Sequence, residues 1–434
     1  MSIEHLLRDV EHLPLYAVAL VYFAFYPIVS SVIWVTSSLT YFGRREFRKP
    51  RPPPPLTTAR FVSILIPSFC EAAEIEHTLE SCLRLDYPSF EIVVVDDAST
   101  DDTVEKVLPF VRAGQVRLIR KSVNEGKAMA LNDAIPCLRG EIVVVMDADA
   151  SPVPDMLRHM VPHFDSARVA AVTGNPRVVD RDTLMSQLQM IEFTSIVSLQ
   201  RRAQRVWGRI LTMSGAVTAL RLSALVDVGM FSPDMATEDI DLTWKLQKRF
   251  YDIRYEPGAI VWIRVPRTLK SLWDQRKRWA LGLTQVLRRH GKAVLFDWRR
   301  RRMWPVLVEA SCSIVWAYLF VGFAGLWGLS YAVGVPPAGA SPIPNWWGML
   351  IATMCLMQIG TGVVMDWRYD RRVVRYFPVA VFYPIVYWML MAVITVLMTP
   401  RGLFRTTNRG RPTTWRTKRE PLAESESAGT SPSA

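Results

Sequence analysis

Two pairs of aspartates follow apolar runs of the kind that form buried strands. Asp147 and Asp149 follow the run in EIVVVMDADASP, and Asp96 and Asp97 follow the run in FEIVVVDDAST. Each pair could simply cap a turn, because Asp is common where strands end. Two carboxylates in D-x-D spacing can also hold Mg²⁺ or Mn²⁺, whose open positions then take diphosphate oxygens. The second acidic pair at an equivalent strand end favours a metal site at Asp147 and Asp149.

The segment NEGKA, residues 124–128, could add positive charge to the same site. A helix that starts after a glycine presents free N–H groups to a phosphate, and Lys127 would add a cation. An ordinary turn with a surface lysine explains the local pattern equally well. Both interpretations stay open on these residues alone.

The segment TED, residues 237–239, begins another predicted helix, which continues in an apolar stripe. Threonine followed by acids is what a helix amino terminus prefers, so the local pattern predicts an N-cap. A catalytic role would instead require a base that accepts a hydroxyl proton near the metal.

The segment QRKRW, residues 275–279, lies in the amphipathic stretch SLWDQRKRWALGLTQVLRRH. Trp, Leu and Val alternate there with Arg and Lys at helical spacing, as expected of a helix in the membrane interface. Its basic face could contact lipid headgroups. Its arginines and tryptophan could equally bind phosphate and stack on a sugar.

These segments need elements that bring them together. Between residues 60 and 265, short apolar strands alternate with helical stretches, as in FVSILIP, FEIVVVDD, VRLIRK and EIVVVMDAD. This alternation predicts βαβ units and a mostly parallel sheet. Ligands bind at the carboxyl ends of such strands, and both acidic pairs fall at that edge.

The remainder of the chain is apolar and basic. Half of the 434 residues are hydrophobic, and the net charge is +12. Residues 13–42 carry no charged side chain, and further apolar segments of spanning length lie at about 305–335, 345–365 and 376–399. Much of the basic charge flanks these segments, so a membrane explains it better than nucleic acid does.

Orientation in the membrane leaves one conflict. The basic segment GRREFRK after the first helix places the globular part in the cytoplasm, yet three later spans would put the basic end of the chain outside. Either one segment is re-entrant, since Pro378 and Pro384 interrupt the last one, or the first long segment hides an additional pass.

Six motifs occur in an order that resembles the family 2 glycosyltransferases, which include membrane-embedded cellulose, chitin and hyaluronan synthases. They are SILIPSFCE, VVVDDASTD, NEGKA, DADA, TED and QRKRW. AVTGNPRV, TEDIDLTWKLQ, QRKRWALG and RMWPVLVE look most similar to bacterial poly-β-1,6-N-acetylglucosamine synthases. The resemblance implies an α/β, GT-A (Rossmann-like) catalytic domain embedded between transmembrane helices.

The expected organisation is a transmembrane segment (1–43), a proline-rich linker (44–59), the GT-A domain (60–268), amphipathic interfacial helices with QxxRW (269–300), a carboxyl-terminal transmembrane region (301–400) and a basic, then disordered, tail (401–434).

The resemblance also implies a role for each motif residue. The residues implied in nucleotide-sugar binding are Ser68, Glu71, Asp96, Asp97, Lys127 and Asp147. The residues implied as ligands of a divalent cation, Mg²⁺ or Mn²⁺, are Asp147 and Asp149. The implied catalytic set is Asp239 as general base, Glu238 beside it and Asp149. The residues implied at the acceptor and the diphosphate are Gln275, Arg278 and Trp279. Two departures from the family pattern are Cys70, where asparagine is frequent, and Ala148, where glycine also occurs.

The activity implied by the resemblance is processive, inverting transfer from UDP-N-acetylglucosamine onto a growing poly-β-1,6-N-acetylglucosamine chain of a biofilm matrix. The expected location is the bacterial inner membrane, with several passes and a cytoplasmic catalytic domain. The expected partners are the donor, the polysaccharide, the lipid bilayer and a small membrane accessory subunit, without nucleic acid. The alternatives are a hyaluronan, chitin or cellulose type of synthase, a single-transfer lipid glycosyltransferase, and a membrane-anchored regulator that binds UDP-sugars.

Overall fold

The structure of the protein is a computed structural model that describes residues 13–48, 53, 59–334 and 346–404. These residues form an α/β domain and a set of long apolar helices. Most of the proline-rich linker, and the tail from residue 405 onward, lie outside the described residues, so the predictions for those segments stay predictions.

The α/β domain is built on one sheet, whose strands in the described part of the chain are β1 (Val62–Ser68), β2 (Phe90–Asp96), β3 (Arg117–Arg120), β4 (Ile142–Met146), β5 (Ser151–Pro152), β6 (Val169–Val178), β7 (Val217–Arg221) and β8 (Asp252–Ile263). Their order is β3-β2-β1-β4-β7-β6-β8-β5. β1 pairs in parallel with β2 and β4, and β2 with β3, as the strand–helix alternation predicts. β7 runs antiparallel between β4 and β6, while β6 and β8 are parallel. The sheet is therefore mixed and mostly parallel.

Strands β1 and β4 are apolar runs buried along their whole length, because helices cover both faces of the sheet. The register pairs Ser68 with Asp96, so the carboxyl ends of β1 and β2 meet. β4 lies on the other side of β1 and ends at Met146, immediately before the first aspartate of DADA. The topology thus places the acidic pairs along one edge of the sheet.

The helices, in chain order, are α1 (Pro14–Tyr41), α2 (Ile75–Leu83), α3 (Thr103–Arg112), α4 (Lys127–Ala134), α5 (Met156–Met160), α6 (Leu184–Ile191), α7 (Ser198–Trp207), α8 (Leu222–Asp227), α9 (Glu238–Lys248), α10 (Leu269–Phe296), α11 (Trp304–Val333), α12 (Trp346–Asp366) and α13 (Trp388–Phe404). Short 3₁₀ helices are Ile135–Cys137, Val161–Asp165, Trp298–Met303 and Arg371–Val381. Wider π-helical turns are Phe42–Glu46, Glu192–Val197 and Tyr383–Tyr387. The π-helical turns continue helices or join them to the next element.

Three helices within the described residues are long and apolar enough to cross a membrane: Pro14–Glu46, Trp298–Val333 and Gly348–Asp366. The first apolar segment is one continuous helix, so it contains no hidden second pass. α1 packs against α7 of the α/β domain and against α12, and α13 packs along α10, which carries the QRKRW segment. The α/β domain and the apolar helices therefore share extensive contacts.

The last apolar segment differs from the spanning helix predicted over residues 376–399. A 3₁₀ helix, Arg371–Val381, and the π-helical turn Tyr383–Tyr387 precede α13, which has only 17 residues. Pro378 and Pro384 lie in these two irregular elements, and proline removes backbone donors that a regular α-helix needs. Of the two explanations for the orientation conflict, the hidden pass is excluded by the continuous helix α1, and a re-entrant last segment stays a prediction.

Candidate active site

Asp97 holds the NEGKA turn in place. It is fully buried, and its carboxylate accepts hydrogen bonds from the backbone N–H groups of Glu125 and Gly126 at 3.1 and 2.7 Å. Lys121 Nζ lies 3.4 Å from the same carboxylate. Gly126 has a φ of +87°, which a side chain would disfavour. The aspartate implied in nucleotide binding thus also fixes the start of α4.

Asp96 is also fully buried, but its hydrogen bonding is incomplete. One carboxylate oxygen accepts from the Ser99 N–H at 3.3 Å, whereas Oδ1 has no hydrogen-bond partner within the described residues. Burial raises the pKa of Asp96, against the opposing effect of Ser99. A buried acceptor without a partner is costly, so Asp96 Oδ1 is well placed to receive a donor from a bound ligand.

Ser68, the last residue of β1, and Glu71, in the segment that follows it, are both buried. Between them, Cys70 has a φ of +55°. Asparagine tolerates this left-handed conformation better than most residues. The cysteine that departs from the family pattern therefore occupies a demanding backbone position. The Ser99 hydroxyl accepts from the Cys70 N–H at 2.9 Å and so holds the turn against the segment after β2.

Lys127 lies at the centre of a cluster of carboxylates. Its Nζ is 2.6 Å from Asp147 Oδ1 and 3.5 Å from Glu238 Oε1, and it donates to the carbonyl oxygen of Gly215 at 3.4 Å. A Cβ added at Gly215 would lie 3.1 Å from Asp239 Oδ2, so glycine leaves room there for the Asp239 carboxylate. The NEGKA, DADA and TED segments therefore meet in space, and Lys127 is a cluster residue rather than a surface lysine.

The electrostatics of this active-site cluster, formed by Lys127, Asp147, Glu238 and Asp239, follow from burial and from an excess of acids. Burial and the neighbouring Glu238 raise the pKa of Asp239 to about 6, although Lys127 and Arg278 oppose the shift. Burial lowers the pKa of Lys127, but Asp147 and Glu238 outweigh it and hold that pKa above its ordinary value. Asp239 is therefore a carboxylate of unusual basicity beside a permanent cation.

Thr237 is the N-cap residue of α9, as predicted, but its side chain does not cap the helix. Its hydroxyl is buried without a hydrogen-bond partner in the described part of the chain, and a Cβ at Gly282 of α10 would overlap it. Gln285 of α10 also accepts a hydrogen bond from the Ala236 N–H at 3.0 Å. Close contact with α10, rather than capping, explains the threonine.

The predicted acceptor residues lie on α10 in different surroundings. Gln275 Oε1 is buried and lacks a hydrogen-bond partner within the described residues, whereas Arg278 is exposed. The ring of Trp279 is partly buried, with the Arg276 guanidinium 3.8 Å from its centroid. The structure thus brings α10 beside the TED segment and adds Arg276, which the sequence interpretation did not single out.

Comparisons with known proteins agree with this arrangement. A model described as glycosyltransferase-like family 2 matches residues 59–282, which include every motif from SILIPSFCE to QRKRW. The chain belongs to this glycosyltransferase family.

Among its relatives in the family, the poly-β-1,6-N-acetyl-D-glucosamine synthase of Staphylococcus epidermidis is 32% identical over 90% of this chain and 96% of that protein. The synthase of the same description from Staphylococcus aureus strain COL is 31% identical over the same shares. A solved mannosyltransferase from Pyrobaculum calidifontis, in complex with GDP-Man and Mn²⁺, is similar in fold. It has a TM-score of 0.60 and 24% identity, and the match covers 88% of this chain and 98% of that one.

Membership of the glycosyltransferase family confirms the resemblance inferred from the six motifs, and with it the GT-A-like α/β fold. It makes the protein an enzyme that transfers sugars. The likeness to the two synthases extends over the apolar helices as well as the catalytic domain, because it covers 90% of the chain. Three helices of spanning length indicate that this glycosyltransferase is associated with a membrane.

Proposed function

We propose that the protein is a processive, inverting glycosyltransferase that polymerises N-acetylglucosamine from UDP-N-acetylglucosamine into poly-β-1,6-N-acetylglucosamine. Support for the sugar and the linkage comes from the two staphylococcal synthases. The structural observation that carries the proposal is the position of Asp239. This basic carboxylate lies between the acidic edge of the sheet and the helix α10, along which the apolar helix α13 packs.

Asp239 is suited to act as the general base. A base works best when its pKa is close to the operating pH, and a pKa of about 6 meets that condition better than an ordinary aspartate does. Asp239 would take the proton of the acceptor hydroxyl while the oxygen attacks the anomeric carbon. Attack opposite to UDP converts an α-linked donor into a β-glycoside. One base suffices, since no covalent sugar–enzyme intermediate forms.

Positive side chains would stabilise the departing UDP. Lys127 and Arg278 both lower the pKa of Asp239, which supports a role for the two cations beside the proposed base. Fixed cations near the diphosphate favour the charge that develops there. Glu238 and Asp147 keep the Lys127 ammonium protonated and in position.

The two aspartates after β4 would hold a divalent cation. Asp147 and Asp149 would supply two carboxylates. In the described part of the chain no group of three or more His, Cys, Asp or Glu residues could hold a metal, so the remaining ligands would come from water and the donor. Two carboxylates suit a hard ion such as Mg²⁺ or Mn²⁺ whose other ligands are water and diphosphate oxygens. Such an ion, when bound, would neutralise charge on the leaving diphosphate.

Removing one of these carboxylates tests the metal proposal. Asp149→Ala should abolish transfer and also the effect of Mn²⁺ on donor binding, measured by titrating UDP with and without the ion. Asp165→Ala is the matched control, because that carboxylate is 64% exposed and pairs only with Arg60 at 3.5 Å in the described structure. Transfer by Asp149→Ala in the presence of a chelator would contradict the metal role.

The proposed location is the bacterial inner membrane, with several passes and the catalytic domain in the cytoplasm. The basic segment that follows α1 supports this orientation, because positive charge is retained on the cytoplasmic side. Contact between α10 and α13 supports delivery of the polymer to the membrane region. A small membrane accessory subunit remains a proposal, drawn from the resemblance alone.

Transfer can be tested with purified full-length protein and a panel of UDP-sugars, measuring UDP release and digesting the product with linkage-specific glycosidases. UDP-N-acetylglucosamine should support release, and an enzyme specific for β-1,6-linked N-acetylglucosamine should degrade the polymer. Another preferred donor or another linkage would reassign the product to the hyaluronan, chitin or cellulose type. Binding of a UDP-sugar without release of UDP would favour the membrane-anchored regulator instead.

A further inference from the structure

Arg276 is a buried charge at the centre of the QRKRW segment. It lies between Gln275 and the Arg278–Trp279 pair, but it points into the protein and is fully buried. Its Nη2 lies 2.5 Å from Glu192 Oε2. Its Nε and Nη1 have no hydrogen-bond partner among the described residues. Burial removes the hydration of a guanidinium, and Glu192 compensates part of this cost. The contact with Glu192 therefore fixes the position of the Arg276 side chain.

Glu192 and Tyr387 hold Arg276 from two different parts of the molecule. Glu192 belongs to the catalytic domain, while Tyr387 belongs to the irregular segment that precedes α13. The Tyr387 hydroxyl donates to Glu192 Oε2 at 2.6 Å, on the same carboxylate oxygen that pairs with Arg276. The Arg276 guanidinium also lies 5.6 Å from the centroid of the Tyr387 ring. Three elements that are distant in sequence thus meet at one carboxylate.

Both partners of Arg276 lie in π-helical turns. Glu192 is the first residue of the turn Glu192–Val197, and Tyr387 is the last residue of the turn Tyr383–Tyr387. A π-helical turn is less favourable than an α-helical one and occurs frequently at functional sites. The two π-helical turns therefore set the directions in which the side chains of Glu192 and Tyr387 project.

The other neighbour of Arg276 is the Trp279 ring. The guanidinium carbon is 3.8 Å from the ring centroid, which is the contact distance of a stacked cation. A planar guanidinium fixes the tilt of an aromatic ring better than a lysine ammonium does. Trp279 itself remains partly exposed, whereas Arg276 is fully buried. The position of the ring is thus tied to Arg276, and the position of Arg276 to Glu192 and Tyr387.

We propose that Glu192 and Tyr387 act as positioning residues that hold Arg276 against Trp279, so that the irregular segment before α13 sets the platform for the acceptor sugar. The inference rests on the proposed function, in which Trp279 contacts the acceptor. It adds a link between the membrane region and the active site. Displacement of the segment around Tyr387 changes the tilt of Trp279 and therefore the grip on the growing polymer.

A pair of tyrosine variants in the same turn tests this link. Tyr387→Phe removes the hydroxyl that binds Glu192, while Tyr383→Phe removes the hydroxyl of the ring stacked on Tyr387, 4.8 Å away between centroids. Loss of a hydrogen bond to a charged group should raise the KM for a β-1,6-linked N-acetylglucosamine oligomer by about tenfold or more in Tyr387→Phe. The KM for UDP-N-acetylglucosamine should stay unchanged, and the products should become shorter. Tyr383→Phe should behave like the parent protein.

A second substitution separates positioning from simple stability. Arg276→Lys keeps the positive charge beside Glu192 but removes the flat face under Trp279, so the KM for the acceptor should rise again while the KM for the donor does not. A purely structural brace would reduce the amount of active enzyme and lower kcat without moving either KM. Parent-like acceptor KM and product length in both Tyr387→Phe and Arg276→Lys would overturn the positioning role.

Failure of the proposed function has a different signature. It appears in the parent protein, which would then transfer no sugar to the oligomer from any UDP-sugar in the panel, and this result overturns both proposals. If the parent uses another donor, the same comparison is made with that donor and its own oligomer. Failure of the positioning role alone appears when the parent protein transfers sugar, yet Tyr387→Phe and Arg276→Lys both keep the parental KM for the acceptor and the parental product length.

Discussion

The active-site cluster can be compared with a second buried group of charges, formed by Glu46, Arg177, Arg202 and Asp366 and called here the anchor cluster. Arg202 lies 2.5 Å from Glu46 and 2.7 Å from Asp366, and Arg177 lies 2.6 Å from Asp366. The two contacts with Asp366 are short ion pairs whose angles fall outside hydrogen-bond geometry. All four side chains are almost completely buried. Two cations thus face two anions.

The balance of charge separates the two clusters. The anchor cluster is neutral as a whole, and it joins the π-helical turn after α1 and the end of α12 to β6 and α7 of the catalytic domain. The active-site cluster contains three carboxylates for one lysine, and Asp239 has a raised pKa as a result of burial and Glu238. Removing one partner from a balanced buried cluster destabilises the fold, whereas an unbalanced cluster is typical of a site that binds or moves charge.

The largest expected effect comes from Asp239→Asn. Transfer should fall by about 10²- to 10⁴-fold, because the acceptor hydroxyl loses its base, while binding of UDP-sugar persists. Initial rates of UDP release and calorimetric titration of UDP would measure the two properties separately. Polymer formation at the parental rate would reject Asp239 as the base.

The same variant also tests whether the excess of carboxylates over cations in the active-site cluster costs stability. A carboxyl whose pKa is raised by folding stabilises the folded state at low pH and loses that contribution as the pH rises through about 6. At neutral pH the charged Asp239 therefore costs stability, and Asp239→Asn should have a higher thermal midpoint than the parent. The difference should shrink below pH 6; a lower midpoint at neutral pH would contradict the account of the cluster.

The matching change in the anchor cluster should act in the opposite direction. Asp366→Asn leaves Arg177 and Arg202 facing only Glu46, and an uncompensated buried charge costs about 3–5 kcal/mol. The thermal midpoint of the protein in detergent should fall clearly. Arg202→Met should be similarly harmful alone and partly rescued by Glu46→Gln, which removes the opposite charge. Equal thermal midpoints for the parent and Asp366→Asn would contradict the stabilising role assigned to the anchor cluster.

The sequence predicted the active-site cluster better than the anchor cluster for a topological reason. Lys127, Asp147 and Asp239 follow or start regular elements, and the ends of neighbouring strands must meet at one edge of a sheet. Arg202 and Glu46 are 156 residues apart, and their pairing depends on how α1 packs on the catalytic domain. No short-range pattern encodes such packing.

Two features near α10 were missed for related reasons. Glu192 is a lone acid in the apolar stretch QMIEFTSIV, and an isolated acid of this kind is a signal for a buried partner that the sequence interpretation did not use. The partner, Arg276, is 84 residues away. The irregular course of residues 371–387 was only partly anticipated from Pro378 and Pro384, because proline predicts an interruption but not the geometry that replaces the helix.

The smallest expected effect is a shift of the pH profile. Asp239 must be deprotonated to act as a base, so kcat should rise with pH and reach half of its maximum near pH 6. Lys127 lowers the pKa of Asp239, and Lys127→Met should therefore move this acidic limb to higher pH in addition to reducing the maximal rate. Lys277→Met is the matched control, since Lys277 pairs with the exposed Asp274 on the outer face of α10. If the acidic limb of the pH profile stays at the same pH in Lys127→Met, a group outside the active-site cluster determines that limb. The excess of carboxylates in the cluster would then have no effect on catalysis.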